Sequence, residues 1–104
     1  MAIFVFIYHG GDHPESEAEG AKMMQEWETW LADLGDAVID PGKPMAISKT
    51  VMSDGSVVDN GGSNPASGYS LHAAEDMDAA LKMAQSCPFL KINGTIEVAE
   101  SFDM

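Results

Sequence analysis

Hydrophobic positions in this chain recur with two different periods, and those periods predict the elements. Ile3 to His9 (IFVFIYH) is a continuous apolar run rich in Ile, Val and aromatic residues, closed by Gly10-Gly11. Such a run reads as a strand buried on both faces, hence a central one. A period of two puts Ile3, Val5, Ile7 and His9 on one face and Phe4, Phe6 and Tyr8 on the other. Met23, Trp27, Trp30, Leu31 and Leu34 then recur at helical spacing, with Glu19, Lys22, Glu26, Thr29 and Asp33 on the far side. Pro14 and a Ser16–Glu19 capping box mark the start and Gly35 the stop, so a helix is predicted over 15–34.

The second half repeats the scheme. Ala37 to Asp40 reads as a short strand, followed by Pro41-Gly42 and Pro44. Ala46 to Met52 and Ser56 to Asp59 flank Asp54-Gly55, the signal for a type I′ hairpin. Gly68 to Ala74 is a strand ending at Asp76, an N-cap residue. Met77, Ala80, Leu81 and Ala84 make one apolar stripe on a helix over 76–86, which Pro88 stops. Asn93-Gly94 turns the chain into Thr95 to Glu100, where Ile96 and Val98 alternate with Thr95, Glu97 and Ala99 as in a half-buried strand.

The predicted order is therefore β-α-β, hairpin, β-α-β. That is an α+β chain: a ferredoxin-like split β-α-β sandwich with a four-stranded antiparallel sheet, an extra hairpin and both helices on one face. With the helices on one face, Phe4, Phe6 and Tyr8 are expected on the other. Three aromatics sharing an uncovered face predict a homodimer, the second copy covering them.

At 104 residues the chain reads as one domain, without repeat or linker. The net charge of −12, with only five basic residues, narrows the partners. Five lysines cannot build a patch that neutralises several phosphates, so no nucleic acid is expected, nor an anionic membrane surface. No stretch approaches the roughly 20 apolar residues of a spanning helix. The single cysteine, Cys87, precludes an intrachain disulfide and suits a reducing compartment, so a cytoplasmic protein is expected.

Chemistry could gather at two places. The end of the first strand, the Gly10–His13 loop and the start of the Gly68–Ala74 strand should meet, bringing His9, Asp12, His13, Ser67 and Tyr69 to one edge. There His9 or His13 beside Asp12 would form a general-base pair, since imidazole titrates near neutrality. Alternatively, with Leu71, Ile96 and Val98 facing the helices, Ser70, His72, Thr95 and Glu97 would face the dimer partner. His72 and Glu97 would then stand about 10 Å apart, two strand spacings, around a small ligand. The same residues also read as helix caps and as a polar interface. His9, Asp12 and His13 lack the spacing of a metal site, and neither a metal nor another cofactor is expected. Cys87 reads as a small buried side chain.

The segment SGYSLHAAEDMDAALKMAQSCPFL followed by GTIEVAE resembles the C-terminal half of the YCII-related (DGPF-type) domain family. The likeness extends upstream through VMSDGSVVDNGG. It implies a small ferredoxin-like domain of the dimeric α+β barrel kind, most of whose members have no established activity. Some members resemble enzymes with a proposed His-Asp pair, the histidine inside the first helix. Here Met24 falls near that position, and the DGPF signature is altered to Asp59-Asn60-Gly61-Gly62. The family's acid–base machinery is therefore expected to be absent or moved to His9 or His72. From strand placement, His9, Asp12 and His72 are the catalytic candidates, and Tyr69, Ser70 and Glu97 the ligand-binding ones. The expectation is a homodimer that binds a small molecule in a cleft and catalyses proton transfer, elimination or hydrolysis. The alternative is a non-catalytic dimeric interaction or accessory domain.

Overall fold

The computed structural model describes residues 1–103. Strands β1 (Ala2–Gly10), β2 (Val38–Pro44), β5 (Ala66–Ala74) and β6 (Gly94–Glu100) form one antiparallel sheet in the order β2-β5-β1-β6. Helices α1 (Glu17–Leu34) and α2 (Met77–Gln85) pack on one face of it. Strands β3 (Thr50–Val51) and β4 (Val57–Val58) pair only with each other. The fold is the α+β arrangement that the two periods predict, with β1 central.

Local signals set the helix ends. Ser16 Oγ accepts from the Glu19 amide at 3.1 Å and Asp76 Oδ1 from the Ala79 amide at 2.9 Å, each satisfying an amide left open by the first turn. Two short 3-10 turns, Gly35–Ala37 and Pro88–Ile92, were not predicted. The hairpin turn also differs from expectation. Gly55 has φ +90°, but Asp54 does not lie at positive φ, so type I′ is excluded. The Gly55 amide donates to Met52 O and the Met52 amide to Ser56 O, which is a three-residue loop closed by a glycine bulge.

The orientation of the sheet corrects the sequence reading most. Phe4, Phe6 and Tyr8 are buried within one chain, against Trp30, Ala74, Ala80, Ala84 and Cys87. They face the helices, and Ile3, Val5, Ile7 and His9 face away. Gly68, Ser70, His72 and Ala74 share the helix side of β5, leaving Leu71 on the open side. Only Ile96 and Val98 on β6 face the helices as expected. The reason is volume. Trp27 meets Tyr8 edge to face and Trp30 tilts against His72, and Gly68, Ser70 and Ala74 on the adjacent strand leave room for that crowd of rings. On α2 the buried stripe is Ala80 and Ala84, flanked by Ala79 and Met83, while Met77 and Leu81 stand at its exposed border. Alanine there lets the helix approach the sheet closely.

Candidate functional site

Tertiary structure builds a buried polar line inside the aromatic core. Tyr8 Oη lies 2.6 Å from Ser70 Oγ, and Ser70 Oγ lies 2.8 Å from His72 Nε2. His72 stacks on Phe6 with ring centroids 4.1 Å apart and tilts against Trp30 at 5.5 Å. Its Nδ1 has no partner. One continuous run of protons through three such groups leaves a spare donor at one end, either Nδ1–H of His72 or the Tyr8 hydroxyl. Burial lowers the His72 pKa to about 4, so the ring is neutral near pH 7. Burial also raises Tyr8 above its ordinary value, against the pull of the Ser70 hydrogen bond, and pushes the Cys87 thiol up to about 11. Ser70 and His72 resemble a nucleophile and base in spacing. Both are wholly buried, however, and Ser70 is held from both sides.

The ring of Tyr8 also belongs to a cleft of about 550 Å³ between α1, the β2–β5 edge and the Pro88–Ile92 turn. Its walls are mainly apolar: Met23, Trp27 and Leu31 from α1, Phe89 and Ile92 from the turn, and Pro41 and Pro44 from β2. Tyr8 meets Trp27 and Phe89 edge to face, each at 5.3 Å. Phe89 holds its place because two glycines receive its ring. A Cβ on Gly11 would come within 2.6 Å of that ring, and one on Gly94 would overlap it. Opposite, Gly42 at φ +75° leaves no room for a Cβ beside the Tyr69 carbonyl, and Asp40 Oδ1 accepts from its amide at 2.8 Å. The register of β2 against β5 shifts between Asp40 and Lys43, and that irregularity shapes the β2 wall. The charged residues in its lining are Glu26, Glu28, Lys43 and Lys91. Ser67 Oγ is buried without a partner, Lys43 makes no ion pair among the described residues, and Lys91 is held by Glu26 at 2.7 Å.

The predicted site residues therefore separate. Ser67 and Tyr69 reach the cleft, and Met24 stands on its rim. Ser70 and His72 lie in the core, on the helix side, so they do not face a dimer partner. Glu97 is on the opposite face, so His72 and Glu97 cannot share a ligand. Glu97 instead pairs with His9, whose Nε2 lies 3.0 Å from its Oε1. His9 Nδ1 lies 3.1 Å from Asn64 O and 3.3 Å from Pro65 O, tying the loop before β5 to the open face. Asp12 does not orient His9. Its carboxylate accepts from Asn93 at 2.7 Å, and its amide donates to Ile92 O at 2.7 Å. His13 is exposed.

Sequence reasoning missed Tyr8, Trp27 and Phe89 as a wall. No local signal pointed to it, because Gly11 and Gly94 flank the Phe89 ring only in the folded chain. Among the described residues no three His, Cys, Asp or Glu side chains gather as metal ligands, and no helix is long and apolar enough to cross a membrane. A second, more polar hollow of about 510 Å³ lies on the other flank of α1, beside Lys22, Gln25 and Asp33. Compared with known proteins, the chain matches no family model, no curated protein and no solved structure.

Proposed function

We propose that this chain is a small homodimeric ligand-binding protein of the YCII-related kind. Its ligand is a mainly apolar small molecule with one polar end, held in the cleft beneath α1. The observation that carries the reading is the cleft itself. Its volume of about 550 Å³ lies in the range of small-molecule sites, roughly 300–1,000 Å³. Its walls are mainly aromatic and aliphatic, with Glu26, Glu28, Lys43 and Lys91 as the charged groups that line it. Lys43 on β2 favours a hydrogen-bond acceptor or a carboxylate at the ligand's polar end. The position of Met24 on the rim agrees with the YCII-related resemblance, which puts the proposed helix histidine near this point. Without that histidine the cleft has no imidazole among the described residues that line it, because His72 does not reach it.

Calorimetric titration with 2-naphthoate and with octanoate tests the binding. Saturable one-to-one heat is expected for at least one of them, weakened at least tenfold in Trp27→Ala and several-fold in Lys43→Ala. Absence of saturable heat with either compound, in protein free of co-purified small molecules by native mass spectrometry, would remove the ligand. A dimeric interaction domain would then be the better reading, and the open sheet face specifically favours it. Ile3, Val5, Ile7 and Leu71 lie there on adjacent strands, at least partly exposed, with no layer of the described residues above them. A second copy of the sheet would cover them.

A further inference from the structure

We propose that the segment from Met45 to Pro65 is a docking arm that grips a second copy of this chain, extending the contact made by the open sheet face. The inference rests on the homodimer proposed above. Its starting point is shape. The Cα radius of gyration is 15.0 Å, whereas a compact chain of this length has roughly 13 Å. The molecule measures 43 × 42 × 18 Å. Its 18 Å thickness holds one sheet and one helix layer, spaced about 10 Å apart, with no third layer. The arm therefore projects beside the body and does not fold over its own open face.

What projects is apolar. Ile47 is 87%, Val51 70% and Val57 63% exposed, and Met45, Met52 and Val58 are also exposed. Val51 and Val57 are direct cross-strand partners, so they form one face of the hairpin. A two-stranded hairpin is marginally stable alone in water. Here it has two ladder pairs, Thr50–Val58 and Val51–Val57, with Thr50 Oγ1 donating to Asn60 O at 2.7 Å. An arm this apolar and this short gains order when something covers it.

Area and charge favour a second copy. Four strands about 4.8 Å apart and seven to nine residues long give the open face a footprint of roughly 500 Å². A stable pair buries about 800 Å² per partner. The arm supplies the difference, and it is continuous with the face, because Asn64 and Pro65 at its base accept from His9. Nearly all of the −12 charge lies outside the arm. The arm carries Lys49, Asp54 and Asp59, of which Lys49 and Asp59 pair at 3.0 Å. Two like-charged copies approach best through charge-poor surfaces; the arm is one, and on the aliphatic face Glu97 stands at one end, paired with His9.

Sedimentation equilibrium on the full chain tests the arm. Two variants are compared with wild type: Val51→Lys with Val57→Lys, and a shortened chain in which Asn-Gly joins Lys49 to Gly61. Each should raise the dimer Kd at least tenfold while circular dichroism of the body is unchanged. In wild type, amide exchange at Val57 and Val58 should slow as protein concentration rises. A Kd within twofold of wild type in both variants, or exchange independent of concentration, would overturn the arm while leaving the sheet-face dimer intact. Wild-type protein monomeric at 100 µM would overturn both.

Discussion

The two faces of the sheet are made from alternate residues of the same strands, yet they differ in chemistry. The helix face holds Phe4, Phe6, Tyr8, Ser70 and His72, nearly or wholly without solvent contact. The open face holds Ile3, Val5, Ile7 and Leu71, with the His9–Glu97 pair at one end. One face buries polar atoms under aromatic rings; the other leaves aliphatic groups partly in water. Residue class by itself would have predicted the reverse for β5, with Leu71 inward and His72 outward. Size and hydrogen bonding outweigh it, because Tyr8 supplies a partner for Ser70, and Ser70 supplies one for His72.

The largest contrast is in stability. Phe6→Ala should cost about 3–5 kcal/mol in denaturant unfolding, as for a buried ring replaced by a cavity. Ile3→Lys on the other face should change monomer stability by no more than about 0.5 kcal/mol, since Ile3 is 41% exposed. Equal costs would mean that the open face is not open.

Next comes acid. Burial lowers His72 from its ordinary value of 6.5 to about 4. Between those values the unfolded chain binds a proton that the folded chain refuses. The stability contributed by this group is thus full above pH 6.5 and falls as the pH drops toward 4. The loss is on the order of 3 kcal/mol. Carboxylates titrate at the lower end of this window, so the measure is the difference between wild type and His72→Phe. The variant should lose less stability from pH 7 to pH 4 in urea titrations. Parallel slopes would show that His72 titrates normally.

Ser70→Ala cuts the polar line in the middle and strands Tyr8 Oη and His72 Nε2 together. A cost of about 1–3 kcal/mol is expected. Ser70→Thr, which keeps the hydroxyl, should recover part of it, and no recovery would point to packing alone. The smallest effect belongs to His9→Gln, an edge substitution, at no more than about 1 kcal/mol. Its readout is faster amide exchange in residues 61–66, which His9 ties down; unchanged exchange would deny it that role.

Much of the fold was legible in the residues themselves. Period two in β1, period 3.6 in α1, the Ser16 and Asp76 caps and the Asn93-Gly94 turn all act within a few residues of chain, so the sequence displays them directly. The candidate site was far less legible. Ser67 and Tyr69 were expected beside His9 by strand order, not in this cleft, whose walls come mainly from α1, β2 and the Pro88–Ile92 turn. Asp12 was expected beside His9 on proximity in sequence, and Asn93 takes it instead, 81 positions away.

By itself, then, the sequence determined the element order, the helix ends and the centrality of β1, because hydrogen-bond periodicity and capping are short-range. Only the tertiary structure decided which face of each strand turns inward. That choice depends on fitting Trp27 against Tyr8 and Trp30 against His72, and on joining Tyr8 to Ser70 across 62 positions. Packing volume and buried hydrogen bonds are properties of the assembled chain, and no local pattern carries them.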